Sequence, residues 1–307
     1  MFLRLLWCFI FLLAGRPRAL GETPEKLRIL TSIPPLYSWA ANVAGDLAIV
    51  ENLLPADVGP HEFQLRPRDL EKIQRADLVL VNGLGLESWL ERTLASSPKP
   101  SRLVVAASDG LAASNLIFNL PELKVGNAPK SHAHDHGTGA NPHIWLDPLL
   151  AKHAVTNLVI ALGRLAPAQA SAFVANGSAY CARLDLLDAE IRAATAKLLK
   201  REVVTFHDAF PYFCRRYGLK LVGVIEEVPG SSPSPRYLAA LSQAIRDQGV
   251  GVVFAEPQFN PRLAQQLTRD LKISLAQLDV LETGGLSAAA YEEGMRRNLQ
   301  VLTKALR

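Results

Sequence analysis

The sequence has too few cysteines for a disulfide framework, with only Cys8, Cys181 and Cys214 among 307 residues, and a chain of this length can bury enough surface to fold without one. It has no run of Lys or Arg that would make a basic face for nucleic acid. Of its 33 cations, Arg4, Arg16 and Arg18 fall in the first 21 residues, and without them 30 cations face 29 anions. Nucleic acid is therefore not an expected partner. The apolar run Leu5 to Ala14 has ten residues, well short of the about 20 that a membrane-crossing helix needs. No HExxH and no GxSxG is present, so the usual signatures of zinc peptidases and serine hydrolases are missing. What is there, 49% hydrophobic and 20% charged residues with 20 Gly and 20 Pro, is the composition of a folded protein of about two domains.

The first 21 residues carry an address. Arg4 precedes the apolar run, and a polar stretch ending Ala19-Leu20-Gly21 follows it. This is the pattern of a secretory signal peptide cleaved near Gly21. Cys8 lies inside the apolar run with no small residue before it, which argues against lipid attachment. The expected product is a soluble, periplasmic protein holding Cys181 and Cys214. An oxidising compartment would allow these two to pair, and their spacing leaves the matter open.

Beyond the signal, short apolar runs alternate with amphipathic segments. Leu27 to Thr31, Ala48 to Leu53, Ala76 to Val81 and Arg102 to Ala106 read as strands, with helical spacing between them. The alternation resumes with Glu202 to Phe206, Lys220 to Ile225, Val250 to Ala255 and Ile273 to Leu278. Strand and helix alternating in this way indicate βαβ units and parallel sheets. Between the two series, about Pro148 to Lys200 contains no strand-like run but carries the helical stripe Tyr180, Leu184, Leu187, Ile191, interrupted near Ala166-Pro167. The expected organisation is a signal peptide over 1–21, an N-terminal α/β lobe over 22–147, a helical connector over 148–200 and a C-terminal α/β lobe over 201–307. A stiff connector limits how far two lobes can open.

Ligands of open α/β sheets bind outside the carboxyl ends of the strands. His61 in LPADVGPHEF, His207 at the end of EVVTF and Asp279 after ISLAQL fall at such ends, and His143 sits in NPHIWLDP just before the connector. Three imidazoles and a carboxylate make a tetrahedral set for a borderline cation such as Zn²⁺. The spacing alone leaves open the alternative that these are ordinary loop or core histidines.

The segments GPHEFQLRPRDLEKIQRADLVLVNGLGLESWL, NPHIWLDP, VVTFHDAFPYFCRRYGL and VVFAEPQFNPRLAQQL resemble, in order, the successive blocks of the zinc and manganese ABC-transporter solute-binding proteins, the ZnuA/TroA-like cluster A-I family. The resemblance extends from about Leu27 to Leu306. It implies two (β/α)4 lobes with parallel sheets, joined by a long rigid connecting helix, with the metal cleft between the lobes. Carried over residue by residue, it implies His61 and His143 as ligands from the first lobe and His207 and Asp279 from the second. The last block departs from the family form, with Val280 where a proline is usual, so Glu282, Glu62 or a water stand as alternatives to Asp279. Histidine at position 207, where manganese-type members tend to present a carboxylate, favours Zn(II) over Mn(II) as cargo.

His132, His134 and His136, in a Gly-flanked loop over about 130–140, resemble a shortened form of the His-rich loop of zinc-type relatives. They read either as a weak auxiliary metal loop or as a solvated loop without a role. His153 reads as a surface or interhelical residue, and Glu256 as a capping or interlobe hydrogen-bonding group rather than a ligand. The expected function is an extracytoplasmic, monomeric receptor that delivers Zn(II) to the transmembrane subunits of an ABC permease and is not an enzyme. Its rivals are a manganese receptor of the same family, an exported zinc hydrolase, and an adhesin or metal buffer without a permease.

Overall fold

The computed structural model describes residues 26–118, 139–226 and 230–307. The signal segment over 1–21 and the tract of His132, His134 and His136 lie outside the described residues.

Among the described residues, eight short strands form two sheets. The first contains β1 (Leu27–Thr31), β2 (Ala48–Asn52), β3 (Leu78–Val81) and β4 (Leu103–Ala106) in the order β2-β1-β3-β4. The second contains β5 (Glu202–Thr205), β6 (Lys220–Val224), β7 (Val252–Ala255) and β8 (Ser274–Gln277) in the order β6-β5-β7-β8. Every pairing is parallel, so each crossover needs a connection that returns over a face of the sheet. The two orders are identical once shifted by four strands, so the second sheet repeats the plan of the first. All residues of β3 and β7 are buried, which explains why those runs read as uninterrupted apolar sequence.

The crossovers of the first sheet carry α1 (Pro34–Ala44), α2 (Pro67–Arg75) and α3 (Ser88–Ser96). Those of the second carry α6 (Pro211–Tyr217), α7 (Pro235–Asp247) and α8 (Arg262–Leu271), and α9 (Ala290–Ala305) closes the chain. Between the sheets lie α4 (Pro148–Leu165) and the longer α5 (Ala170–Thr195). Among these, α1, α2, α4, α6 and α7 begin on a proline, where the missing N–H has no helical partner to lose and φ is already set. Asp147 and Ser234 cap α4 and α7, the former accepting from the Leu149 and Leu150 N–H groups. The break between α4 and α5 falls at Pro167, with Ala166 out of helical conformation before it.

These two helices pack along each other, and α5 also touches α1 and α9. The larger apolar core therefore runs without interruption from the first sheet through Leu158, Leu162, Phe173 and Leu184 to Phe213, Val252 and Met295. A smaller core, with Val204, Val222, Leu241, Ile245 and Val253, lies on the other face of the second sheet. Polar links reinforce the junction: Arg216 of α6 pairs with Asp147 at the start of α4, and Tyr217 donates to Asp188 of α5 at 3.1 Å. Cys181 and Cys214 are both free thiols. No helix among the described residues is long and apolar enough to cross a membrane.

The stripe of α5 holds this shared core together, and Leu187 within it is fully buried. Replacing Leu187 by Ala removes methyl groups from a site that cannot fully collapse, so denaturant unfolding should show a loss of about 2–5 kcal/mol. An unchanged midpoint would mean that α5 is peripheral to the core.

Candidate metal centre

The carboxyl ends of both sheets face one cleft. His61 lies in the loop after β2, His143 in the loop between β4 and α4, and His207 two residues beyond β5, the strand at which the second sheet changes winding direction. Glu282 lies in the loop after β8. One donor atom from each of His61, His143, His207 and Glu282 falls within 4.8 Å of all the others. His143 and His207 are fully buried, Glu282 is 1% exposed, and His61 forms the more open side.

Hydrogen bonds fix which ring nitrogen each histidine presents. Asn141 Oδ1 accepts from His143 Nδ1 at 3.0 Å, and Glu256 Oε2 accepts from His207 Nδ1 at 2.6 Å while its Oε1 accepts the His207 main-chain N–H. Both rings therefore turn Nε2 inward, and the two Nε2 atoms lie 3.1 Å apart. In neutral rings held this way two lone pairs face one another, an arrangement that calls for a proton or a cation between them. Zinc bonds of 2.0–2.1 Å would make the edge of a tetrahedron about 3.3 Å long. The observed separation is close to that edge.

The electrostatics point the same way. Glu256 and Glu282 are buried carboxylates whose ion-pair partners among the described residues are histidines. Burial would lower the His207 pKa, but the adjoining Glu256 carboxylate, with help from Glu282 and Asp208, raises it from 6.5 to about 9. Burial pushes Glu282 up to about 7 against the opposing pull of His207. Gln258 Nε2 bridges Glu256 and Glu282 at 3.1 and 3.2 Å, and it reaches Glu282 through Oε1. Glu282 Oε2 is left buried without a hydrogen-bond partner among the described residues, 4.0 Å from His61 Nε2. A dication at the centre would meet that oxygen and offset the buried negative charge.

Residues 29–305 match the family model described as zinc-uptake complex component A, periplasmic, ZnuA. The chain belongs to this ZnuA family. It is 29% identical over 313 residues to the high-affinity zinc uptake system protein ZnuA of Bacillus subtilis (strain 168), covering 97% of this chain and 95% of that one. It is 27% identical to zinc-binding protein AdcA of Streptococcus pyogenes serotype M6, covering 90% of this chain but only 55% of the longer AdcA. Among solved structures, the SBP FpvC from Pseudomonas aeruginosa in complex with Mn²⁺ is similar at 31% identity and a TM-score of 0.76, covering 92% of this chain and 98% of that one.

Three of the four residues expected from the ZnuA-like motifs meet in the cleft, and Asp279 does not. Its Oδ1 instead accepts the Leu281 N–H at 2.8 Å, while its main chain is held by Asn298. Leu281 then adopts φ of 67°, a left-handed conformation that costs a branched side chain energy. That reversal turns the residue after it, Glu282, into the cleft. Asp279 thus holds the turn of the loop, and Glu282 brings a carboxylate oxygen to the cluster. Glu62, the other alternative, is exposed on the neighbouring loop. His153 lies apart from the cleft, bonded through Nε2 to Asp109 O at 2.6 Å.

Glu256 does form hydrogen bonds, but within its own lobe and to His207, rather than across the cleft or at a helix end. Trp145 stands 5.0 Å from the His143 ring, and its indole N–H donates to Val280 O at 2.7 Å beside the Glu282 loop. Gly59, in the GPHEF motif, explains itself here: a Cβ at this position would come within 3.2 Å of Glu282 Oε1. Sequence reasoning had no signal for Asn141 or Gln258, whose second partners, Asp208 and Glu282, are distant in the chain.

Chelator-competition titrations separate the two carboxylates. Glu282→Gln should weaken metal binding by about 10-fold or more, whereas Asp279→Asn, which keeps an oxygen for the Leu281 N–H, should stay nearer wild type. The reverse ranking would return Asp279 to the centre.

Proposed function

We propose that this chain is the extracytoplasmic receptor of a zinc ABC transporter. It captures Zn²⁺ between its lobes and delivers it to the membrane permease. The observation that carries this reading is the convergence of His61 and His143 from one lobe with His207 and Glu282 from the other on a single buried point. A site divided between two lobes can be assembled by closing and dismantled by opening, which is what reversible capture and delivery require.

Three imidazoles with one carboxylate suit Zn²⁺ in tetrahedral geometry, and Mn²⁺ stands below Zn²⁺ in affinity for nitrogen-rich donors. FpvC carries Mn²⁺ in its solved complex, so manganese is the natural competitor to offer. Zinc hydrolases keep one coordination position open for water. Four protein donors that close around the ion serve retention instead, and we read the site as one for transport.

Binding must displace protons. In the metal-free protein His207 titrates at about 9 and Glu282 at about 7, and both must be deprotonated to hold a cation. At pH 7 the metal therefore evicts the His207 proton and part of a second from Glu282. Affinity should rise roughly tenfold per pH unit between about pH 7 and 9, more steeply below 7, and level off above 9. Calorimetric titration of chelator-stripped protein with Zn²⁺ or Mn²⁺, repeated across pH 6–9, tests this. The expected result is one Zn²⁺ per chain, held more tightly than Mn²⁺, with proton release at pH 7. Binding of neither metal, or zinc affinity independent of pH over that range, would contradict the proposal.

A further inference from the structure

Asn141 lies two residues before His143 and closes a small ring with it, Oδ1 accepting from both the main-chain N–H and Nδ1 of His143 at 3.0 Å. A main-chain N–H can only donate, so the oxygen end of the amide faces His143. The nitrogen end reaches the other lobe. There Nδ2 donates to the main-chain oxygen of Asp208 at 2.7 Å and to its Oδ2 at 3.1 Å, and Asp208 directly follows His207. The segment around Asn141 is braced in turn by Tyr212 of α6, whose hydroxyl donates to Asn141 O at 2.7 Å and accepts from the Ile117 N–H at 3.2 Å. Both Asn141 and Asp208 are buried, so water cannot readily replace these bonds.

We propose that Asn141 is a positioning residue that latches the two lobes at the metal centre, setting the orientation of His143 and its spacing from His207 through one side chain. The chemistry requires an amide. A carboxylate at this position would accept from His143 equally well, but it has no hydrogen to give Asp208 and would set two negative charges against each other. The latch is distinct from the Glu256 contact, which orients His207 from within its own lobe. This inference rests on the zinc-capture reading for its functional consequence, though not for its geometry.

Asn141→Asp separates the two roles, because it preserves the acceptor for His143 and removes the donors to Asp208. Zinc release into excess chelator should be followed by stopped flow for wild type, Asn141→Asp and Asn141→Ala, with hydrogen exchange of the metal-free proteins over 139–147 and 205–212. The latch predicts that Asn141→Asp releases zinc about 10-fold faster or more, as Asn141→Ala does. It also predicts faster exchange in both segments. Adding Asp208→Asn to Asn141→Asp puts a donor back on the opposite side and should recover part of both losses. Release from Asn141→Asp at the wild-type rate, or unchanged exchange over 205–212, overturns the latch. If wild type itself holds no zinc, the receptor reading falls, and exchange alone decides the latch by the same criterion. Should Asn141→Asp fail to fold, Asp208→Ala is read in its place. It removes the Oδ2 arm but keeps the ring with His143 and the 2.7 Å bond to the Asp208 main-chain oxygen. The latch then predicts a smaller acceleration of release in the same direction, and none at all overturns it.

Discussion

The structure turns on two imidazole nitrogens that face each other at 3.1 Å, each ring having its other nitrogen committed to a buried acceptor. Neither ring can present its N–H to the gap without acquiring a second proton. The gap therefore holds a positive charge in any comfortable state, a proton on His207 or a metal ion. Glu256 raises the His207 pKa and so stabilises the protonated form, but the same carboxylate makes the neutral ring a better donor to a cation. Proton and metal compete for one position. That competition gives the site a resting state in which its donors are already gathered.

Gathering them depends on how the lobes meet. His143 and the Glu282 loop are tied together by Trp145, whose indole donates to Val280 O and whose main-chain oxygen accepts from Tyr291 at 2.6 Å. Gly284 donates to Ala56 O at 2.7 Å, joining that loop to the one that carries His61. Beneath these contacts the apolar core is continuous through α4 and α5. A shared core resists large hinge opening, because separating it would expose apolar surface to water. The proposed delivery then requires breaking a few polar contacts at the cleft rather than swinging two independent domains apart.

Much of this architecture could be read from local sequence. Apolar runs such as LVLV and VVFA become strands buried on both faces, and proline at the first turn marks helix after helix, because each signal acts within a few residues. The interruption at Ala166-Pro167 was visible for the same reason. The cleft was legible only through resemblance, since the separations among His61, His143 and His207 have no local meaning. The carboxylate of the cluster was legible only as one of several alternatives to Asp279. Its placement depends on a leucine in a left-handed turn, where a glycine would have announced the reversal, and on Asp279 using its carboxylate to hold that turn. Asn141 stands in plain view beside His143, yet its second partner is 67 residues away, beyond the reach of any pattern in the segment.

Zinc K-edge X-ray absorption of protein loaded with one equivalent of Zn²⁺, compared between wild type and Glu282→Gln, tests the central claim most directly. The account predicts a four-coordinate ion in wild type with three imidazole nitrogens at about 2.0–2.1 Å and one carboxylate oxygen at about 2.0–2.2 Å, and a changed oxygen shell in the variant. A spectrum with fewer than three imidazoles, or one identical in wild type and Glu282→Gln, would mean that the metal binds elsewhere.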